Sequence, residues 1–183
     1  MNIKGIAFKH IKDAHISAFG EERWNSFFQR FKKDYTEFPN VIIGVSQIPI
    51  DLYLPLVDDV IKEFYNGNHK VLWGFGEYAA QISLSDQGYF NVYIKEKTPE
   101  NFINNFLAHI WTQYYDEGME EFEIEGNILH ARIFNLPKYH PHFELITMGY
   151  IKKALELIGV NVKETTKIKS SAEEIYYQFT LDL

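Results

Sequence analysis

Two hydrophobic rhythms divide the chain. Up to about residue 116, apolar residues recur every three or four positions, the spacing of helices with one buried face. Residues 3–18 predict a first helix, with Ile3, Ile6, Phe8, Ile11 and Ile16 as its apolar positions. Gly20 interrupts it, and Glu21 and Glu22 open a second helix carrying Trp24, Phe27, Phe28 and Phe31. Acidic residues in a first turn suit the positive end of the helix dipole. Residues 35–48 read as an extended or irregular connection. Pro55 is expected in the first turn of the next helix, where its missing N–H does no harm. Leu56, Val57, Val60, Ile61 and Phe64 then recur at helical spacing, and Asn66-Gly67-Asn68 ends the run. Residues 69–84 predict another apolar helix. The clearest helix covers 99–116. Thr98 is its N-cap, Pro99 its first residue, and Phe102, Ile103, Phe106, Leu107, Ile110, Trp111 and Tyr114 form a broad stripe, stopped by Gly118.

Beyond that point the rhythm changes to period two. Phe122 and Ile124 alternate with Glu121, Glu123 and Glu125. After Gly126-Asn127, Leu129, Ala131 and Ile133 alternate with His130 and Arg132. A turn on Gly126-Asn127 sets Glu123 opposite His130, Glu121 opposite Arg132 and Ile124 opposite Leu129, so charges pair on one face and apolar residues on the other. Pro141 begins a helix to about Ile158, ended by Gly159. A second hairpin follows. Its first strand aligns Val160, Val162, Thr166 and Ile168 on one face, and its second aligns Ile175, Tyr177, Phe179, Leu181 and Leu183. The expected fold class is α+β. A helical N-terminal half precedes hairpin, helix and hairpin, giving a four-stranded antiparallel sheet packed on helices within a single domain over 1–183.

Composition narrows the function classes. Aromatics make up 16% of the 183 residues, with 15 Phe and 12 Tyr, which supports a packed core or a pocket with aromatic walls. The formal net charge is -7 and no basic stripe stands out, which argues against nucleic acid as a partner. The absence of Cys removes disulfides, thiolate zinc sites, Fe–S clusters and thiol nucleophiles. No apolar run approaches the roughly 20 residues of a membrane span. The opening residues lack a signal core, so a cytoplasmic location is expected.

No catalytic constellation emerges. Gly74-Phe75-Gly76 is too short for a dinucleotide fingerprint, and no phosphate loop or nucleophile elbow is present. Asp58 and Asp59 point about 100° apart on a helix. Of Glu120, Glu121, Glu123 and Glu125, the hairpin register assigns two to ion pairs rather than to a cation. His140-Pro141-His142 would need a third ligand from elsewhere to hold a metal, and Pro141 as a helix start explains it with His140 near the cap. His10 and His15 lie on different faces of the first helix and are expected to be surface or partly buried histidines. His109 lies about 110° from the centre of its helix's apolar stripe, as a boundary residue would. A His among apolar residues can also be an axial haem ligand.

Three segments carry a resemblance. Lys4-Gly5-Ile6-Ala7-Phe8 leads to Phe19-Gly20-Glu21-Glu22-Arg23-Trp24. Leu56-Val57-Asp58-Asp59-Val60 leads to Phe75-Gly76-Glu77-Tyr78. Gly149-Tyr150 runs through Ala154-Leu155 into the final hairpin. In order and spacing, these segments resemble the haem nitric oxide/oxygen binding (H-NOX) domain. Its relatives are the 4-vinyl-reductase-like small-molecule-binding domains and the TRAPP vesicle-tethering subunits. The resemblance implies helices on a four-stranded antiparallel sheet. In H-NOX proteins it also implies a haem whose iron is held by a His on a helix before the sheet. A Tyr-x-Ser-x-Arg motif grips the haem propionates. His109 stands near the matching helix position. The window for the propionate motif reads Asn135-Leu136-Pro137-Lys138-Tyr139-His140-Pro141 and lacks it.

The expected function is accordingly a non-catalytic, haem-free signalling or regulatory domain of this type, with no cofactor. It would hold a small apolar ligand or a regulatory protein partner. Phe102, Phe106, Trp111 and Tyr150 are the candidate pocket walls. One alternative is a haem-based nitric oxide/oxygen sensor with His109 as axial ligand. Another is a TRAPP-like assembly subunit working as a homodimer.

Overall fold

The computed structural model describes residues 1–95 and 98–182, which divide into two compact units. Met1–Val71 with Tyr114–Asp116 make the first, and Leu72–Gln113 with Glu117–Leu183 the second.

The first unit begins with a strand where the periodicity predicts a helix. β1, Asn2–Lys4, pairs antiparallel with β2, Gln47–Pro49, and Ile3 lies opposite Ile48 with both side chains fully buried. Helix α1 is Gly5–Phe19. The reason lies in the backbone donors of its first turn, which no residue of the helix can satisfy. The Gly5 N–H donates to the Ser46 carbonyl at 2.7 Å and the Ile6 N–H to that of Gly44 at 3.0 Å. A residue at position 5 must lie almost against this loop, since a Cβ there would fall 2.2 Å from the Ile43 oxygen. Long-range pairing thus overrides the local spacing. Asp116 closes the same corner, accepting from the Asn2 backbone N–H at 2.6 Å and side-chain amide at 2.7 Å.

Helix α2, Glu21–Asp34, buries Trp24, Phe27 and Phe31. Trp24 meets the Phe8 ring edge-on at 6.2 Å, and Phe31 meets Phe38 edge-on at 5.2 Å. Each such ring contributes roughly 1.5–3 kcal/mol by leaving water. Helix α3 is Ile50–Tyr65, so Pro55 sits inside it rather than in its first turn. Pro49 stands at its N-cap, and the earlier start buries Tyr53 and Leu54, which offsets the backbone donor lost at Pro55. Asn66 ends the helix in the left-handed conformation. His15, expected at the surface or partly buried, is fully buried among Phe19, Trp24, Phe64 and Tyr65, with its Nδ1 2.6 Å from the Ile11 carbonyl oxygen.

In the second unit, α4 is Val71–Ser83. The long predicted helix is one helical run to Tyr114 in three parts: α5, Pro99–Phe102; a π-helical turn, Ile103–Leu107; and α6, Ala108–Tyr114. Thr98 caps it as expected, its hydroxyl accepting from the Asn101 N–H at 3.2 Å. A second π-helical turn, His142–Ile146, leads into α7, Thr147–Leu157. The helices α4 and α7 cross at two glycines. A Cβ on Gly76 would lie 2.0 Å from the Ile146 oxygen, and one on Gly149 2.2 Å from that of Trp73.

The sheet is antiparallel, in the order β3-β4-β6-β5. Its strands are β3, Met119–Glu125; β4, Ile128–Phe134; β5, Asn161–Ser170; and β6, Glu174–Asp182. The β3–β4 register matches the sequence reading, with Glu121 opposite Arg132, Glu123 opposite His130 and Ile124 opposite Leu129. The ion pairs do not follow those direct partners. Arg132 reaches Glu123 and His130 reaches Glu125, each at 3.6 Å, because long side chains extend to the diagonal neighbour. On β6, Ile175, Tyr177, Phe179 and Leu181 are buried as expected, while Leu183 lies outside the described residues. On β5 the alternation fails. Register shifts between Val162 and Glu164 and between Lys167 and Lys169 put Thr165 and Lys167 opposite the buried Phe179 and Tyr177. Thr166 and Ile168, expected beside Val162, are therefore exposed. Extra residues of this kind leave no trace in a period-two pattern.

The glycine crossing is testable. Gly149→Ala forces a methyl into the Trp73 backbone, and the expected loss is about 3 kcal/mol in urea denaturation. A midpoint equal to the wild type would show that α4 and α7 can separate without cost.

Candidate functional site

The four predicted pocket residues are all buried, and three come together. Phe106 is the centre, with Phe102 at 5.2 Å, Tyr150 at 6.4 Å, Tyr93 at 4.8 Å and Phe90 at 5.4 Å between ring centroids. The Tyr150 hydroxyl shares a 2.7 Å hydrogen bond with the fully buried Ser83 hydroxyl. A buried phenol needs such a partner. Trp111 stands elsewhere, its ring 6.2 Å from Phe143 and its Nε1 donating to the Glu117 carbonyl at 2.8 Å. The rings around Phe106 therefore pack on one another as a core.

His109 is exposed on α6, as its angular offset predicts. In the 140–142 cluster, His140 Nδ1 accepts from the His142 backbone N–H at 3.0 Å, which is the helix-start role expected for it. His142 is buried, and burial, aided by neighbouring His140, pushes its pKa down to about 3. Among the described residues no group of three or more His, Asp and Glu could hold a metal ion. Nor is any described helix long and apolar enough to cross a membrane.

One heavily bonded side chain was not visible in the sequence. Glu144 lies in the π-helical turn ahead of α7 with its side chain 1% exposed. Its Oε2 accepts from Tyr139 Oη and Ser170 Oγ, both at 2.5 Å. Its Oε1 accepts from Tyr177 Oη at 2.5 Å and pairs with Lys167 Nζ at 2.9 Å. Burial alone would raise this carboxyl's pKa. The hydrogen bonds from Ser170, Tyr139, Tyr177 and Lys167 outweigh it and hold the pKa below the usual range. The two bulges of β5 supply this site, because the first sets Lys167 opposite Tyr177 and the second sets Ser170 opposite Ile175. In the sequence, Glu144 reads only as an acid in a first helical turn, and its partners lie 5 to 33 residues away.

Glu120 is the opposite case. It falls on the apolar face of β3, its two carboxylate oxygens shielded from solvent and without a well-formed hydrogen bond. Burial pushes its pKa well above the ordinary range, and the Trp111 backbone offsets little of this. On the other face of the sheet, His130 is buried beneath Tyr176, its Nδ1 2.7 Å from the Tyr176 hydroxyl. The Arg132 guanidinium covers the Tyr176 ring at 4.4 Å.

A haem can be tested against these residues. The 135–141 window offers one hydroxyl, that of Tyr139, which is already committed to Glu144. The other donors on that carboxylate come from β5 and β6, outside this window. The window therefore lacks the Tyr-x-Ser-x-Arg set, and its one hydroxyl is engaged by Glu144.

The two carboxyls predict opposite pH responses. Glu144 has a depressed folded pKa, so its stabilisation is present above the unfolded value and is lost as pH falls through the folded one. Glu144→Gln should cost roughly 2–3 kcal/mol near neutral pH and progressively less on acidification, read from denaturant melts at several pH values. A pH-independent penalty would refute the charge argument. Glu120 has a raised folded pKa, so its contribution is full below the unfolded value and is lost as pH rises. Glu120→Met should raise the melting temperature at neutral pH and remove that decline. A lower melting temperature would mean that the carboxyl has a partner.

No family model matches the chain, and no curated protein matches it. Solved structures do. The Fe(II) unliganded H-NOX protein from K. algicida aligns with a TM-score of 0.70 at 16% identity, covering 98% of this chain and 97% of that one. An H-NOX protein from S. oneidensis in the Fe(II)NO ligation state aligns at 0.65 and 14% identity, covering 98% and 99%. A mutant of the T. tengcongensis H-NOX protein aligns at 0.66 and 9% identity, covering 94% and 93%. With helices ahead of a four-stranded antiparallel sheet and near-complete coverage in both directions, this chain has an H-NOX-like fold.

Proposed function

We propose that this protein is a non-catalytic sensor or regulatory domain of H-NOX-like fold that works without haem and holds a small, largely apolar ligand. The observation that carries the reading is the Tyr139–Glu144 hydrogen bond at 2.5 Å. It commits the only hydroxyl of the propionate window to the chain's own carboxylate. The exposed His109 agrees with it, because an axial ligand is ordinarily held by its surroundings. The fold supports a binding role, since a structural neighbour is an H-NOX protein in the Fe(II)NO ligation state. Glu120, His142 and Glu144 owe their shifted pKa values to burial or hydrogen bonding and are not grouped around a nucleophile, which supports a non-catalytic role.

The deciding measurement is an absorbance spectrum before and after equimolar haemin, with mass spectrometry of the organic extract of the purified protein. The expected result is no Soret shift and a copurifying small molecule. A sharp 1:1 Soret shift that is lost in His109→Ala would overturn the haem-free reading and make the protein a haem sensor.

A further inference from the structure

The Glu144 site has the form of a receptor rather than of an ordinary ion pair. Its four donors divide evenly, Tyr139 and Ser170 on one carboxylate oxygen, Tyr177 and Lys167 on the other. Two donors per oxygen match a planar two-oxygen anion. Three neutral hydroxyls and an ammonium carry no negative charge to repel it. Tyr139, Lys167 and Ser170 also lie nearer the solvent than the group they hold, while Tyr177 is buried with it. Tyr139 is 41% exposed and the Lys167 side chain 52% exposed, whereas Glu144 is 1% exposed. Three of the four come from β5 and β6, outside the segment that carries Glu144. These three therefore remain assembled by the sheet if the Glu144 side chain leaves. The π-helical turn His142–Ile146 that carries Glu144 is a local irregularity of the helix. Turns of this kind recur at functional sites.

We propose that Tyr139, Lys167, Ser170 and Tyr177 form a carboxylate-binding site that Glu144 closes from within, and that the small ligand of this domain is a carboxylic acid whose carboxylate displaces Glu144. This assignment rests on the small-ligand reading above and adds the ligand's chemical class. Displacement moves the Glu144 carboxylate into water and removes the tie between the His142–Ile146 turn and the sheet, so that ligand occupancy is transmitted to the start of α7. The tethered side chain is always at hand, so a simple free acid does not compete with it in the wild type. An effective ligand also gains from its apolar body.

The test uses acetate as probe, exchanged for chloride at constant ionic strength and pH 7, with thermal unfolding followed by circular dichroism. Glu144→Ala opens the site. Its melting temperature should be below that of the wild type and rise saturably with acetate, by about 3–5 °C at ten times the dissociation constant. The wild type should not respond over the same range. Adding Tyr139→Phe to Glu144→Ala should weaken the response several-fold. If Glu144→Ala does not fold in chloride, folding on addition of acetate supports the site equally. A Glu144→Ala protein that responds to acetate no more than the wild type overturns the proposal. So does an undiminished response in the double variant. So does failure to fold in either salt while Glu144→Gln folds. An acetate-insensitive Glu144→Ala protein together with a neutral copurifying compound would remove the carboxylate assignment alone and leave the small-ligand reading standing.

Discussion

A carboxylate cannot leave water unless donors replace the water, and Glu144 finds four of them. Much of the second unit's local irregularity follows from that demand. The loop before α7 must bring Tyr139 back to a residue five positions later. Strand β5 must break its pairing so that Lys167 and Ser170 reach the inner face. Strand β6 must place Tyr177 rather than an aliphatic residue between Ile175 and Phe179. Each of these would be a local cost in a regular sheet or helix, and each is offset by a hydrogen bond to a charged acceptor, the stronger kind.

A second constraint is steric. The carbonyls of Trp73 and Ile146 lie where a β-carbon at Gly149 or Gly76 would stand, so α4 and α7 approach at backbone contact. That closeness holds Ser83, at the end of α4, within hydrogen-bond distance of Tyr150 on α7. The Phe106 cluster then forms around Tyr150. The apolar packing and the polar pair are thus consequences of one crossing.

Periodicity was sufficient wherever local spacing and tertiary demand agreed. The helices of 21–34 and 99–114 and the β3–β4 register followed from it, because an amphipathic face admits one orientation and a Gly-Asn turn one register. It failed where a distant partner decided. Ile3 is apolar at helical spacing, yet it pairs with Ile48 in a strand because the loop at 43–46 receives the first donors of α1. Thr166 and Ile168 alternate correctly, yet the bulges of β5 reverse their faces. The aromatic candidates were found as buried residues, which their spacing encodes. Glu144 could not be found, because a network of partners 5 to 33 residues away leaves no short motif.

Glu120 and Glu144 show how little residue type settles. Both are glutamates facing the interior of one unit, and their pKa values move in opposite directions. The difference lies in the donors. Glu144 is surrounded by groups that stabilise its charge, whereas Glu120 faces Trp111 and the apolar side of β3, where burial disfavours its charged form. An apolar residue would suit the position of Glu120 better, and nothing in the packing calls for an acid there. Departures of this sort from the best local choice concentrate where a protein does something besides fold. In this unit both departures lie in the sheet and the helical segments packed on it, Glu120 at one edge strand and two donors of Glu144, Lys167 and Ser170, at the other.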